Sequence, residues 1–273
     1  MKFKSDTVNI NFEYFNSFDR KKKSVVMIHG FTGSLEDWRD ISVNLTNNFN
    51  YIGIDLVGHG KSDSPVVENR YTQQSIVKMI DDLLNHLSIE KAVLLGYSMG
   101  GRVALCYAVE HSQKLGGLVL ESTSAGIANA IARKKRTEED EELAKYIETE
   151  GLEKFVDLWV GKQIFNTQLR FSNEKLKALK KKRLLNTATG LANSLRGFGT
   201  GKMGNISILF NSIQCPVLLV TGSLDTKFTG LNAQLKQKLK SAEHKIIKNA
   251  GHNTHLEETK KFVDAVNKFL SKI

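Results

Sequence analysis

Gly96-Tyr97-Ser98-Met99-Gly100 is the stretch on which the reading of this 273-residue chain turns. An apolar run, Ala92-Val93-Leu94-Leu95, precedes it, and a helix-compatible run from Arg102 to Val109 follows. Glycine on both sides of a serine, between a buried strand and a helix, is the pattern of a tight strand–turn–helix elbow. Such an elbow lifts the serine hydroxyl clear at the end of a sheet. The glycines are required because a Cβ at either flank would collide with the neighbouring backbone. A plain strand-to-helix turn has the same local pattern, so the flanking elements must carry the distinction.

They do. Val25-Val26-Met27-Ile28 and Tyr51-Ile52-Gly53-Ile54 are short continuous apolar runs, as expected of strands buried on both faces. Val8 to Tyr14 alternates apolar and polar residues and predicts a half-exposed antiparallel strand. Apolar residues recur at helical spacing over Leu35–Phe49 and Gln73–Leu87, and Gly117–Leu120 predicts another strand. This alternation predicts an α/β fold, a mostly parallel sheet with helices on both faces. The rhythm stops after Gly126. From 127 to 205 no strand-like run occurs, and Glu138–Tyr146, Leu152–Trp159 and Glu174–Leu185 predict helices. Strands resume at Pro216–Val220 and His244–Ile247, and an amphipathic helix is expected over Glu257–Leu270. The division is thus a core of 1–126 and 206–273 with a helical insertion at 127–205. Inserted after a strand's carboxyl end, it is expected to cap the crevice where such sheets bind ligands. The alternative is a helical hairpin remote from the site.

Composition excludes several classes. With 41% hydrophobic and 25% charged residues, the chain has an ordinary globular composition. No run is long enough to span a bilayer and none after Met1-Lys2 resembles a signal peptide, so membrane insertion is not expected and a cytoplasmic location is. Cys106 and Cys215 lie in apolar surroundings and are expected to be buried thiols, neither a disulfide nor a metal site. Thirty-nine basic residues against 29 acidic leave a net charge of +10. They are scattered, with no aromatic-interleaved basic stripe, so a small anionic ligand is expected and nucleic acid is not. Oligomeric state is not legible.

A serine hydroxyl is a poor nucleophile or base at neutral pH and needs a histidine held by a carboxylate. In this arrangement the chain order is serine, acid, histidine, each after a strand. Leu218 to Asp225 supplies a strand and a loop acid, Asp225; Ile246 to His252 supplies the next strand and His252. Ser98, Asp225 and His252 are therefore the expected triad. Developing negative charge needs fixed donors. The Met99 amide follows the serine, and the second is expected from the Phe31 amide in His29-Gly30-Phe31-Thr32-Gly33. His255 is expected behind the reacting histidine, and His59 on the site floor with no catalytic role. His86, His111 and His244 are expected to be surface or packing residues.

Gly30-Phe31-Thr32-Gly33, Gly58-His59-Gly60-Lys61-Ser62-Asp63, the elbow and Gly251-His252 together resemble the α/β-hydrolase superfamily. Narrower features are similar to the 2-succinyl-6-hydroxy-2,4-cyclohexadiene-1-carboxylate synthase family of menaquinone biosynthesis. These are Tyr97 before the serine, Arg102 four residues after it, Glu121–Ser124, Phe155–Trp159, Gly190–Gly201 and Asp225–Phe228. Two prolines frequent in that family are absent: Ala125 follows Ser124, and 159–165 has none. The resemblance implies a lyase that eliminates pyruvate, with Ser98 and His252 removing a ring proton and no metal or other cofactor. For a substrate with several carboxylates it implies contacts from Tyr97, Arg102, Arg136, Trp159, Arg183 and Lys227, since a guanidinium grips a carboxylate with two parallel hydrogen bonds. Arg133 is close enough to Arg136 that the choice between them stays open. Two other readings remain: a serine hydrolase of esters or carbon–carbon bonds with Ser98 as nucleophile, and a binding protein that retains the scaffold.

Overall fold

The computed structural model describes residues 1–273. Eight strands form one sheet: β1 (Lys2–Ser5), β2 (Val8–Tyr14), β3 (Lys23–Ile28), β4 (Phe49–Ile54), β5 (Ala92–Tyr97), β6 (Leu115–Glu121), β7 (Val217–Gly222) and β8 (Ala242–Ile247). Their spatial order is β1-β2-β4-β3-β5-β6-β7-β8. β1 and β2 are antiparallel to their neighbours and all pairs from β4 to β8 are parallel. The helices are α1 (Arg39–Ser42), α2 (Gln73–His86), α3 (Met99–Glu110), α4 (Ala130–Glu150), α5 (Leu152–Val160), α6 (Asn173–Arg183), α7 (Ala188–Phe198), α8 (Thr226–Lys238), α9 (Thr254–Glu257) and α10 (Thr259–Leu270).

Side chains alternate across a strand, and the central strands bury both sets. Val26 and Ile28 join a core formed with α2, α3 and α8. Val25 and Met27 join a second core with Trp38, Ile41 and the apolar face of α10, including Phe262 and Val266. That two-sided burial is why these strands read as continuous apolar runs rather than alternating ones. Cys106 and Cys215 are free and buried, and burial pushes their thiols up to about 12 and about 11. No helix is long and apolar enough to cross a membrane.

Between β6 and β7 the chain forms no strand, only α4 to α7 with short 3-10 segments. These helices have a small core of their own, in which Ala144 and Ile147 of α4 meet Phe155 and Val156 of α5 and Leu191 and Leu195 of α7. Phe31 from the sheet side packs against it.

Two segments differ from the sequence expectation. The helical spacing over 35–49 yields only a 3-10 turn, Leu35–Asp37, and the four-residue α1. Asn44, Thr46, Asn47 and Asn48 are weak helix formers, and tertiary bonds replace the helical ones: the Thr46 amide donates to Asn267 Oδ1 of α10 at 2.9 Å. Trp38, Ile41 and Leu45 are buried all the same. The terminal helix expected over 257–270 begins two residues later, as α10, because Glu258, with φ −139° and ψ 58°, is not helical; it separates α10 from the short α9 before it.

Candidate active site

Ser98 links β5 to α3 with φ 51° and ψ −104°. A non-glycine residue at positive φ is strained and persists only where the surroundings hold it. Here the turn is closed by near contact of backbones. A Cβ on Gly96 would run into the carbonyl of Gly100, and one on Gly100 into the carbonyl of Ile28 at the end of β3. The Ser98 amide donates to the Glu121 carbonyl of β6 at 2.8 Å.

Asp225 and His252 stand on the loops after β7 and β8. His252 Nδ1 donates to Asp225 Oδ2 at 2.7 Å, and its Nε2 is 3.1 Å from Ser98 Oγ. A carboxylate only accepts, so this pairing leaves the Nε2 lone pair directed at the serine hydroxyl. Asp225 is itself fixed as the N-cap of α8, its Oδ1 accepting from the Phe228 amide at 3.1 Å. Met99 is the first residue of α3, where backbone amides have no intrahelical partner. It lines the same space as Phe31, Ser98 and His252.

That space is a cavity of about 570 Å³ between the carboxyl ends of the strands and helices α4, α5 and α7. Tyr97 and Trp159 line it, and Trp159 Nε1 is buried without a partner. Four cationic side chains, Arg102, Arg136, Lys227 and Lys238, line it against one carboxylate, Asp140. The Arg102 side chain, in a residue only 7% exposed, makes a single hydrogen bond, from Nη1 to the Phe198 carbonyl at 2.8 Å, and stacks its guanidinium 4.7 Å from the Phe198 ring centre. Burial draws its pKa down to about 10, so it stays charged at neutral pH. Arg136 Nε pairs with Asp140 at 2.9 Å. Arg133 instead donates to the Ile127 carbonyl at 3.1 Å and does not line the cavity.

Arg183 is not brought to this cavity. It lies at the end of α6 with its guanidinium 5.9 Å from the Phe165 ring centre, lining a separate void of about 30 Å³ beside Asp37. Phe31, Tyr97 and Phe165 line both spaces and form the partition. Burial lowers its pKa, and the Asp37 carboxylate opposes that shift.

Lys238 was not anticipated from sequence, although a signal existed. It lies eleven residues after Lys227 on α8, three helical turns along the same face. Its Nζ donates to Ser207 Oγ at 2.8 Å. His255 sits in the short α9, bonded to Glu121 and outside the cavity lining.

His59 does not reach the site floor as expected: it is buried behind Phe31, outside the cavity lining, with its ring centre 5.0 Å from that of His29. His29 Nε2 accepts from the Leu56 amide at 3.0 Å while Nδ1 donates to the Gly30 carbonyl at 2.7 Å. His59 Nδ1 donates to the Val57 carbonyl at 3.1 Å. Burial drives their pKa values down to about 4 and about 3, so both are neutral in the fold. In the unfolded chain they titrate near the usual ~6.5. Their contribution to stability is complete above that pH and is lost as pH falls from about 6.5 through about 4. Each is expected to remove roughly 2 kcal/mol of unfolding free energy between pH 7 and pH 5. Urea unfolding at the two pH values checks this. His59→Phe should flatten the decline, and an unchanged slope would refute the assignment.

Comparisons with known proteins follow the same lines. Residues 23–259 match the family model described as the alpha/beta hydrolase fold. A Bacillus subtilis (strain 168) protein, provisionally named a 2-succinyl-6-hydroxy-2,4-cyclohexadiene-1-carboxylate synthase, is 36% identical over 251 residues, 92% of this chain and 91% of its own. An Enterobacter sp. (strain 638) protein with the unqualified name is 29% identical over 233 residues, 85% of this chain and 86% of its own. Among solved structures, MenH from S. aureus superposes with a TM-score of 0.90 at 30% identity, covering 96% of this chain and 98% of that one. The enol-lactonase from Burkholderia xenovorans LB400 superposes at 0.85 with 19% identity over 99% of this chain and 100% of its own, a likeness of fold alone.

Proposed function

Because the chain belongs to the 2-succinyl-6-hydroxy-2,4-cyclohexadiene-1-carboxylate synthase family of the α/β-hydrolase fold, we propose that it eliminates pyruvate from 2-succinyl-5-enolpyruvyl-6-hydroxy-3-cyclohexene-1-carboxylate. The product would be the cyclohexadiene of the family name, on the route to menaquinone. One observation carries the reading to this chemistry. The Ser98–His252 pair opens into the same cavity as Arg102, a buried cation whose one hydrogen bond goes to a neutral carbonyl. Burying an unpaired cation is unfavourable by several kcal/mol, and an anionic substrate relieves it.

The steps need only side chains already described. His252, oriented by Asp225, draws the proton from Ser98 Oγ, and Ser98 takes a ring proton. The C–H electrons, released at the ring carbon that bears the succinyl group, form a double bond to the next ring carbon, and the ring double bond already present shifts one position towards the carbon that carries the ether. The ring carbon–oxygen bond to the enolpyruvyl group breaks, and enolpyruvate leaves, gaining a proton to become pyruvate. The Phe31 and Met99 amides would hold the anionic oxygen formed on the way. Tyr97 and Trp159 would wall the ring, and Arg102, Arg136 and Lys227 would grip carboxylates. Helices 127–205 would act as the cap over the substrate. Arg183 would reach the substrate only if Phe165 swung aside.

Mixing the purified protein with the enolpyruvyl precursor and measuring pyruvate by a coupled dehydrogenase assay tests the reading; absence of pyruvate would end it. Arg102→Lys keeps the charge but not the two-pronged grip. A charge-assisted hydrogen bond contributes about 1.5–3 kcal/mol, so KM is expected to rise roughly 10- to 100-fold with kcat little changed. An unaltered KM in a folded variant would remove Arg102 from the substrate site.

A further inference from the structure

A second carboxylate–imidazole pair runs alongside the first. Glu121, the last residue of β6, is completely buried. Its Oε1 accepts from Thr254 Oγ1 at 2.6 Å and from the His255 amide at 3.0 Å, and its Oε2 accepts from His255 Nδ1 at 2.6 Å. Three donors from two consecutive residues thus converge on one carboxylate in a site without water access. Both donor residues are themselves buried, and they follow His252 by two and three positions. The same Glu121 accepts the Ser98 amide through its backbone carbonyl. One residue therefore ties down both the serine turn and the loop carrying the histidine.

The aromatic rings complete the link. The Tyr97 ring centre is 5.1 Å from that of His255 and 5.4 Å from that of His252. Trp38 closes the far side of His255 at 4.4 Å, and Phe262 lies 5.8 Å away. Neither Glu121 nor His255 lines the cavity, so neither touches a substrate there. Neither belongs to the Ser98–His252–Asp225 set, in which Asp225 is the carboxylate that holds His252.

We propose that Glu121 and His255 are positioning residues, a buried clamp that sets the His252 loop and the Tyr97 ring in register with Ser98, so that proton transfer between His252 and Ser98 depends on it. A buried carboxylate is tolerated only when paired and fully hydrogen-bonded. The loop is therefore held to a single arrangement, because any shift that breaks one donor exposes a charge to an apolar surround. A displacement of 1 Å at reacting groups lowers turnover by about 10²-fold. The consequence for turnover rests on Ser98 and His252 being the proton-transfer pair, as proposed above.

His255→Phe keeps the ring packing and removes the Nδ1 donor. It is expected to lower kcat for pyruvate release about 10- to 100-fold, leave KM within a factor of about two, and lengthen the His252 Nε2–Ser98 Oγ separation in a crystal structure beyond hydrogen-bonding range. His255→Asn, whose amide nitrogen stands where Nδ1 does, should recover most of the rate. If the phenylalanine variant does not fold, Thr254→Val, which removes one donor at constant shape, takes its place with a smaller loss of kcat and the same lengthening. A folded variant of either kind with the separation and kcat of the parent overturns the proposal, as does an asparagine variant no better than the phenylalanine one. The crystallographic separation needs no substrate, so it decides the clamp even if the parent protein releases no pyruvate.

Discussion

Ser98→Ala is expected to lower kcat for pyruvate release by about 10³-fold or more, with substrate affinity within a few-fold of the parent. A positioned acid–base group contributes about 10²–10⁴ in rate, and triad members act as a unit, so losing one removes most of what all supply. The geometry makes Ser98 hard to replace. Its hydroxyl stands 3.1 Å from His252 Nε2, on a turn whose positive φ exists to present it. With the hydroxyl gone, His252 faces the cavity directly but is set back by the length of the missing contact. The double variant Ser98→Ala with His252→Ala should therefore lose little beyond either single one. Mass spectrometry of the working enzyme should find Ser98 unmodified during turnover. A covalent acyl adduct, together with vigorous hydrolysis of activated esters, would instead make Ser98 a nucleophile and the protein a hydrolase. A Ser98→Ala variant with near-parental turnover would sink both readings.

The second large effect is expected far from the chemistry, at Gly190. This residue lies in the first turn of α7, and a Cβ there would run into the carbonyl oxygen of Gly58 and approach the Gly58 Cα at 2.8 Å. Gly58 lies at φ 79° in the loop after β4, so its backbone has no easy retreat. Gly197, two turns along the same face, is packed as closely on Tyr71. α7 therefore meets the sheet-bearing part of the molecule backbone to backbone. Gly190→Ala is expected to destabilise by about 3 kcal/mol, at the upper end of ordinary overpacking because the obstruction is main chain. It should also impair catalysis, since Ser194, Leu195 and Phe198 of α7 line the cavity and the Phe198 carbonyl holds Arg102. Urea unfolding with parallel measurement of kcat and KM checks both. A variant with parental stability and kinetics would mean that α7 is not seated by this contact.

Much of the site is legible in the sequence because its parts are local. A serine on an elbow needs glycines at two adjacent contacts, and a loop acid and a loop histidine need strands before them. Each requirement leaves its mark within about ten residues of chain. The features that escaped have their cause elsewhere in the fold. The segment over 35–49 has a helix-like apolar pattern, yet Asn267, more than two hundred residues away, supplies the bond that replaces the helix. Arg183 has the right chemistry for a carboxylate, but it lies in another space, on the far side of Phe165 and Tyr97. Glu121 is one acid among many in the sequence, and nothing near it in the chain marks it as the partner of His255.

By itself the sequence determined the parallel α/β arrangement, the residues able to form a triad, and the family to which the chain belongs. Apolar periodicity and glycine geometry are local constraints, and local constraints are written in neighbouring residues. Only the tertiary structure decided which cations share the cavity with Ser98, that Arg102 has no carboxylate partner while Arg136 has Asp140, and that a second buried carboxylate ties the serine turn to the histidine loop. Burial and charge pairing depend on distances between residues remote in the chain, and those distances exist only once the sheet and helices α4 to α7 have packed.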